Sequence, residues 1–399
     1  MKISQMKKSL LLLIPAVLVI YFGLRLYHDP IDTYTWTELL INYAAGFIRR
    51  GLIGRVAYLI SPYLSAKFFL SALIVGCYLL QIYLFQYLTQ GVNGFEWLLF
   101  VFSPTAFLFP IYNFEAYGRK DVFLIVIFLL SFLMILKNMR LSWLFPLVLA
   151  LYQIGILIHE YTIFYFPFVI VLMLVTYRES QESIYRWILP LSALFLLGNL
   201  ALLFGLSRRY YNLDLIPASW EGLIPEHNLT PQSGAFGWMG VPLREGLQPV
   251  FNKLTYPQTF FSYVIGFVLS LIPMTLLDMR YQLSSRVMNM YKKEPLWRFV
   301  FMCLILSSGL IFLFSSDWGR LIYLYGFNIF PGMAVLKQRL NVSVDEPESF
   351  ISGNAYDQVV GWAFLLLFAG TWFVKFYVDG GHIALQQGLL FRLLEWIAI

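Results

Sequence analysis

The chain has 399 residues, of which 59% are hydrophobic and only 13% charged. A soluble domain carries about twice that fraction of charged residues, so the composition excludes a soluble globular protein. The net charge of +6 sits at the ends of apolar stretches and forms no single basic patch, which excludes nucleic acid as a partner. Cys77 and Cys303 lie far apart inside apolar stretches and offer neither a disulfide framework nor a metal pair.

Apolar stretches without charge recur along the chain, many of them close to the length of about 20 residues that a helix needs to cross a membrane. The pattern predicts an all-α fold, a polytopic transmembrane helical bundle of about eleven spans. The predicted spans are residues 9–26, 66–88, 96–112, 122–136, 141–158, 161–176, 187–206, 259–277, 297–314, 321–336 and 356–378.

We predict a single integral membrane domain over residues 1–399, without internal repeats. Two long outer loops, 27–65 and 207–258, separate groups of spans, and an amphipathic stretch follows at 380–399. The first loop contains "INYAAGFIRRGLIGRVAYLISPYL", in which apolar positions alternate with arginines and glycines lower the helix propensity. This pattern predicts a helix that lies in the membrane interface rather than a span.

Lysines and arginines in the short loops predict the orientation, because cytoplasmic loops carry the excess of these residues. With the N-terminus in the cytoplasm, most lysines fall on the cytoplasmic side, whereas the outer basic residues are mainly arginines. Arginine binds phosphate oxygens in a bidentate manner through a planar fork, which lysine cannot do. An arginine-rich outer face therefore predicts a phosphate group bound on that side.

His159 and Glu160 interrupt the apolar segment "GILIHEYTIFYF" and fall at the predicted outer turn between the fifth and sixth spans. One interpretation is a polar hairpin tip wetted by lipid headgroups. The other is a general base or acid, a role that suits a histidine beside a carboxylate. The segment has no second histidine where the H-E-x-x-H motif needs one, so a zinc site is not predicted.

Three further groups of charged residues lie on the same predicted outer side of the membrane as His159 and Glu160. They are Asp29 and Asp32 in "YHDPIDTYTW", Glu115, Arg119 and Lys120 in "NFEAYGRKDVF", and Asp317 and Arg320 in "SSDWGRLIY". Each group taken alone is explained by helix capping and interfacial charge. Their grouping on the predicted outer side of the membrane favours a functional surface, because the inner turns contain basic residues but few regularly placed acidic ones.

The two long loops carry candidate binding residues. Arg49 and Arg50 face either the phosphates of ordinary anionic lipids or the phosphate of a lipid-linked substrate. Trp220 and Trp238, in "WEGLIPEHNLTPQSGAFGWMG", either stack on the apolar faces of sugars or belong to the aromatic belt of the membrane interface.

This layout resembles the GT-C class of membrane glycosyltransferases: a first span, a long outer loop that opens with acidic residues, an interfacial helix, and then many spans. In size and aromatic richness it also resembles bacterial O-antigen or exopolysaccharide polymerases. The resemblance implies a polyprenyl-phosphate or -pyrophosphate sugar donor, a site facing outward from the bacterial inner membrane, and a role in surface polysaccharide assembly. The implied partners are membrane lipid, the polyprenyl-linked glycan and polysaccharide assembly proteins.

The resemblance also implies roles for the charged residues. An acid of the first outer loop acts as base or metal ligand in that class, and Asp29 or Asp32 stands at the matching position. His159 and Glu160 are the other candidates for the base. The candidates for phosphate binding are Arg49, Arg50, Arg119, Lys120 and Arg320, and those for acceptor or sugar binding are Glu115, Asp317, Trp220 and Trp238.

The implied cofactor is a divalent cation, Mg²⁺ or Mn²⁺, held by carboxylate oxygens. The chain departs from the family pattern here, because Pro30 and Ile31 separate the two acids that are usually adjacent. The alternative function is a transporter or flippase for a lipid-linked glycan. It ranks second because transporters carry repeats and charges near the midplane, whereas these charges lie at span ends.

Overall fold

The computed structural model describes residues 5–28, 33–92, 94–206, 213–220, 223, 234–239, 241, 243–293, 295–342 and 355–391. The helices are α1 (Gln5–His28), α2 (Thr33–Leu40), α3 (Gly51–Ile60), α4 (Ala66–Leu88), α5 (Gly94–Val101), α6 (Phe109–Tyr112), α7 (Phe114–Tyr117), α8 (Asp121–Leu136), α9 (Leu141–Ile158), α10 (Thr162–Thr176), α11 (Ile188–Ala201), α12 (Leu215–Ala218), α13 (Leu243–Thr255), α14 (Pro257–Ser270), α15 (Ile272–Tyr281), α16 (Leu283–Lys293), α17 (Pro295–Phe314), α18 (Trp318–Arg339) and α19 (Ala355–Gly370). Short 3-10 turns cover Ser183–Trp187 and Ala235–Met239, and a π turn covers Leu202–Leu206. The predicted all-helical class is confirmed apart from one small sheet.

Among the described residues, five helical stretches are long and apolar enough to cross a membrane, judged by length and composition: Met6–His28, Ala66–Leu88, Leu141–Ile158, Ser183–Ala201 and Pro257–Tyr281. Shorter apolar helices cover Gly51–Ile60, Asp121–Leu136, Thr162–Thr176, Leu304–Phe314 and Gln358–Gly370. These helices indicate a membrane protein. They do not establish the predicted number of eleven spans.

Two predicted spans differ from the structure in an informative way. Residues 96–112 form no single helix, since α5 ends at Val101 and α6 begins only at Phe109. Pro104 lies in the gap, and a proline both lacks the N–H of a continuing helix and disfavours helical backbone before it. The span predicted at 356–378 ends at Gly370, and the chain continues into a strand.

A two-stranded antiparallel sheet occupies part of the stretch predicted to be amphipathic. Strand β1 (Trp372–Val374) pairs with β2 (Leu385–Gln387), with Phe373 opposite Gln386. Residues 380–388 therefore form the turn and the second strand of a hairpin, residues 389–391 are helical, and residues 392–399 lie outside the described part.

The chain folds into two compact units, each assembled from separate segments rather than from one continuous stretch. Unit I comprises residues 16–83 and 114–246, and unit II comprises residues 1–15, 84–113 and 247–399. In unit I, α8, α9 and α10 pack together around aromatic side chains, with the rings of Phe128 and Tyr165 5.2 Å apart. In unit II, α5, α15 and α18 enclose a second aromatic core, in which Phe100 stacks on Phe330 at 4.3 Å.

The stretch predicted to form an interfacial helix contains a helix, α3, which is shorter than that stretch. Its place at a membrane interface stays a prediction. Residues 41–50 before α3 are irregular, and Arg50 adopts a left-handed backbone with φ of 64°. Gly54 lies directly on the carbonyl of Ile41, where a Cβ atom has no room. This close contact holds α3 against the chain that leaves α2.

Candidate functional site

Four separate pieces of unit I place charged side chains against one another. Helix α2 supplies Glu38, the turn before α3 supplies Arg49 and Arg50, the turn before α8 supplies Arg119 and Lys120, and the turn between α9 and α10 supplies His159 and Glu160. We call these seven residues the Glu38 cluster.

The carboxylate of Glu38 is the centre of this cluster and is fully buried. Arg119 Nη1 donates to Oε2 at 3.2 Å, and Arg50 Nη1 lies 3.5 Å from Oε1. His159 Nε2 lies 3.6 Å from the same Oε1. A buried carboxylate is costly unless cations and hydrogen-bond donors surround it, and here two guanidinium groups do so.

Glu160 and Arg50 form the closest ion pair of the cluster. Arg50 Nε donates to Oε2 of Glu160 at 2.8 Å and Nη2 donates to Oε1 at 2.6 Å, a bidentate arrangement. Burial alone would raise the pKa of the Glu160 carboxyl, but Arg50, together with His159 and Arg49, holds that pKa well below its usual range. Burial alone would also lower the pKa of Arg50, but Glu160 and Glu38 hold it well above its usual value.

The side chain of His159 is fully buried and lies between the two carboxylates. Nε2 faces Glu38, and Nδ1 lies 3.7 Å from Oε2 of Glu160. The backbone N–H of Tyr161 donates to Nδ1 at 3.2 Å, which assigns the proton of the neutral ring to Nε2. A second proton on this ring would therefore give an imidazolium with a carboxylate oxygen near each nitrogen.

The turn that carries His159 and Glu160 is fixed by its own backbone. The N–H of His159 donates to the carbonyl of Gly155 at 2.7 Å, and the hydroxyl of Thr162 donates to the carbonyl of His159 at 2.8 Å. Gly155 lies against Thr162, so α9 and α10 approach closely at this end. The pair sits in a tight hairpin, as predicted, and its histidine is buried rather than exposed at a wetted tip.

Arg119 and Lys120 enter the cluster from the opposite side. The guanidinium of Arg119 lies 3.8 Å above the ring of Tyr34, a cation–π contact within one turn of Glu38 on α2. Lys120 is completely buried, and its Nζ donates to the backbone carbonyl of Arg50 at 2.7 Å. Burial lowers the pKa of Lys120 to about 7, although Glu38 and Glu160 act in the opposite direction.

The cluster carries more positive than negative charge. Three arginines stand against the carboxylates of Glu38 and Glu160, which leaves at least one positive charge even with Lys120 neutral. Arg49 is the most accessible of these cations, with 34% of its side chain exposed. An anion is therefore the ligand that this arrangement suits, and Arg49 is the group that it would meet first.

Six residues predicted from the sequence meet in this cluster: His159, Glu160, Arg49, Arg50, Arg119 and Lys120. Glu115 takes part only through its backbone carbonyl, which accepts from Arg119 Nε at 3.3 Å, and its side chain is exposed. Asp29 and Asp32, predicted as candidates for the base, lie outside the described residues.

The two tryptophans have different environments. Trp220 is buried and donates through Nε1 to the carbonyl of Leu40 at 2.8 Å, so its ring fills the core of unit I. Protein atoms therefore cover most of this ring, and its predicted role in sugar binding stays a prediction. Trp238 is 46% exposed, and its backbone carbonyl accepts from Arg49 Nη2 at 3.4 Å.

Asp317 and Arg320 belong to unit II and pair with each other. Arg320 Nη1 donates to Oδ2 of Asp317 at 2.7 Å across the first turn of α18, and the arginine is buried. Lys253 lies in the same unit, also buried, 4.0 Å from the ring of Tyr377. Burial lowers the pKa of Lys253 to about 8, while Asp317 and Asp379 act to raise it.

Glu38 is the main site residue that the sequence analysis missed. It is the one carboxylate between residues 33 and 60, and it is followed directly by an apolar run. An ionisable residue inside an apolar stretch signals function, and that signal was available.

The acids that the family resemblance makes candidates for holding a divalent cation, Asp29 and Asp32, lie outside the described residues. Within the described residues, no group of three or more His, Cys, Asp or Glu side chains is placed to hold a metal ion. Glu38 and Glu160 each bind arginine, and the surrounding charge is positive, which opposes a second cation.

Comparison with known proteins gives no relative for this chain. No family model, no curated protein and no solved structure matches it.

Proposed function

We propose that the protein is a membrane-embedded glycosyltransferase that transfers a sugar or glycan from a polyprenyl-phosphate or -pyrophosphate donor to a hydroxyl acceptor. The observation that supports this most directly is the Glu38 carboxylate, buried beside His159 and between Arg50 and Arg119. The proposed setting is the outer face of the bacterial inner membrane, in surface polysaccharide assembly, with the chain acting as a polymerase.

The proton of the acceptor hydroxyl passes to the pair formed by Glu38 and His159. A second proton on the imidazole would be stabilised by carboxylate oxygens 3.6 and 3.7 Å from its two nitrogens. Glu160 is the weaker base, because its low pKa makes it a poor proton acceptor. We assign Glu160 the role of positioning Arg50 and His159.

Negative charge grows on the donor phosphate as its bond to the anomeric carbon breaks. Positively charged donors that are already in place stabilise that charge without reorganisation. The excess positive charge of the Glu38 cluster supports this role, and Arg49 is its most exposed member. Arg50 and Arg119 hold the carboxylates in place and contribute to the same positive field.

The experiment is a complementation test in the source cell after removal of the gene. Separate strains receive the wild-type gene, Glu38→Gln, His159→Asn or the control Glu179→Gln. Glu179 is an exposed carboxylate of the same unit. Surface glycan is read on a gel at matched protein level in the membrane. We expect the first two variants to lose glycan and the control to retain it. Normal glycan in both site variants would contradict the proposal.

A second readout separates transfer from the alternative function, transport of a lipid-linked glycan. The lipid-linked saccharide that accumulates in the Glu38→Gln strain is oxidised with periodate under conditions that leave the inner membrane sealed. We expect the saccharide to be accessible, because a blocked transferase leaves its donor on the outer face. A protected saccharide would instead indicate a blocked flippase and overturn the assignment as a transferase.

A further inference from the structure

Arg49 and Trp238 form an open edge beside the otherwise buried Glu38 cluster. The backbone carbonyl of Trp238 accepts from Arg49 Nη2 at 3.4 Å, so the two residues are neighbours. The exposed fraction is 34% for the Arg49 side chain and 46% for Trp238. A partly exposed arginine side chain thus lies against the backbone of a partly exposed tryptophan.

Arg49 has hydrogen-bonding capacity to spare. Its Nη1 lies 3.7 Å from Oε1 of Glu160, which is an ion-pair contact but too long for a hydrogen bond. Its Nε is buried, and among the described residues it has no hydrogen-bond partner. Each of its two terminal nitrogens carries two N–H groups, so donors remain for an anionic ligand beside the hydrogen bond to the Trp238 carbonyl.

The indole of Trp238 is presented by an anchored turn. The turn Ala235–Met239 begins with a backbone N–H that donates to Oγ1 of Thr37 at 2.9 Å. Phe236 of this turn packs edge-on against Trp220, with 5.6 Å between ring centroids. Thr37 precedes Glu38 on α2, so the turn is attached to the helix that carries the central carboxylate.

We propose that Arg49 and Trp238 form a binding subsite for a glycosyl phosphate. The indole stacks on the apolar face of the sugar ring, and the guanidinium binds the phosphate oxygens through its planar fork. This inference deepens the proposed function, on which its substrate class rests. A lipid-linked sugar phosphate and a soluble sugar 1-phosphate share this chemistry, and the experiment distinguishes the two.

The test measures binding to the purified full-length chain in lipid nanodiscs by saturation-transfer NMR. The probes are α-glucose 1-phosphate, inorganic phosphate and methyl α-glucoside. We expect α-glucose 1-phosphate to bind wild type and to bind Arg49→Gln and Trp238→Ala at least about tenfold more weakly. Trp238→Phe should retain binding, because a phenyl ring still stacks. The binding of inorganic phosphate should depend on Arg49 and not on Trp238.

Controls of the same residue types are Arg178→Gln and Trp143→Ala, which replace exposed side chains outside the Glu38 cluster. Both should bind like wild type. Equal binding by wild type, Arg49→Gln and Trp238→Ala would overturn the subsite, as would stronger binding of the neutral methyl glucoside than of the phosphate ester.

A competition experiment identifies the source of the phosphate. Polyprenyl-phosphate glucose is added to the nanodiscs while α-glucose 1-phosphate is observed. Displacement of the soluble probe supports a subsite filled by the lipid-linked donor, and absence of displacement supports one filled by a soluble sugar phosphate. Because the measurement requires no transfer, its failure is distinguishable from a failure of the glycan test on Glu38 and His159.

Discussion

The carboxylate of Glu38 lies 3.6 Å from Nε2 of His159, and both side chains are completely buried although 120 residues separate them in sequence. Two guanidinium groups, those of Arg50 and Arg119, also lie against that carboxylate. The contact joins the first long loop to the α9–α10 turn, so the same interaction that defines the candidate site also ties unit I together.

Replacing Glu38 should therefore affect stability as well as activity. Glu38→Ala leaves Arg119 buried without its carboxylate, and breaking a buried pair in this way costs about 3–5 kcal/mol. Glu38→Gln keeps the shape and two polar atoms, so we expect a smaller loss. Thermal melting of the two purified variants in detergent measures both losses of stability.

The control for this prediction is Glu179→Gln, an exposed carboxylate whose loss should change stability by less than about 0.5 kcal/mol. A melting temperature of Glu38→Ala equal to that of the control would show that the pair with Arg119 contributes nothing to the fold.

The ionisation of Glu160 should make the stability of the fold depend on pH in the acidic range. Arg50 lowers the folded-state pKa of Glu160 below the ordinary value of 4.5, so the ion pair stabilises the fold fully above that value. Its contribution is lost as the pH falls from about 4.5 towards the folded-state pKa. We expect Glu160→Gln to be less stable than wild type at pH 7, and we expect the difference to be smaller at pH 3.5.

The measurement is the midpoint of denaturant-induced unfolding at pH 7, 5 and 3.5 for both proteins. Arg50→Gln and the double variant complete a cycle, for which we expect a coupling of about 1–3 kcal/mol at pH 7. Additive effects of the two single changes would contradict the bidentate pairing.

Lys120 should give a dependence of the same sign at higher pH. Burial lowers its folded-state pKa to about 7, against 10.5 when unfolded, so below pH 7 the fold carries the full penalty of a buried ammonium group. Between about pH 7 and 10.5 the folded state binds fewer protons than the unfolded state, and stability rises with pH. Glu38, Glu160 and Arg50 are the charged groups that act on this ammonium.

Lys120→Met removes that dependence together with the hydrogen bond to the Arg50 carbonyl. We expect the stability of the variant, relative to wild type, to fall as the pH rises from 6 to 9. Melting temperatures of both proteins at pH 6, 7.5 and 9 measure the difference. A difference that stays constant over this range would show that Lys120 keeps an ordinary pKa.

Gly54 should not tolerate a larger side chain. A Cβ atom at this position would collide with the carbonyl of Ile41, which is backbone and has little freedom to move. Overpacking of this kind costs about 1–3 kcal/mol, so Gly54→Ala should lower the melting temperature and disturb the position of Arg49 and Arg50.

Gly76→Ala is the matched control for that substitution, because an added Cβ there meets no atom within 4 Å. Alanine is the better helix former by about 1 kcal/mol, so this variant in α4 should be as stable as wild type or more stable. Equal melting temperatures for the two variants would contradict the close contact at Ile41.

Amino-acid sequence alone identified the helical class and six members of the Glu38 cluster, because both depend on local pattern. Apolar runs indicate helices for a membrane, and charged pairs such as His159 and Glu160 stand out where they interrupt those runs. The helix break at Pro104 is an equally local signal, although the apolar residues of 96–112 predict one continuous span.

Only the tertiary structure decided which of these residues contact one another and which aromatic ring stays accessible. Trp220 and Trp238 have the same chemistry and lie in the same loop, but packing buries the first and exposes the second. The central role of Glu38 depends on contacts with Arg119 and His159 that no local pattern encodes. The sequence shows which charged residues interrupt apolar segments. Their partners depend on the tertiary structure, because ion pairs form between side chains that long-range packing brings within a few ångströms.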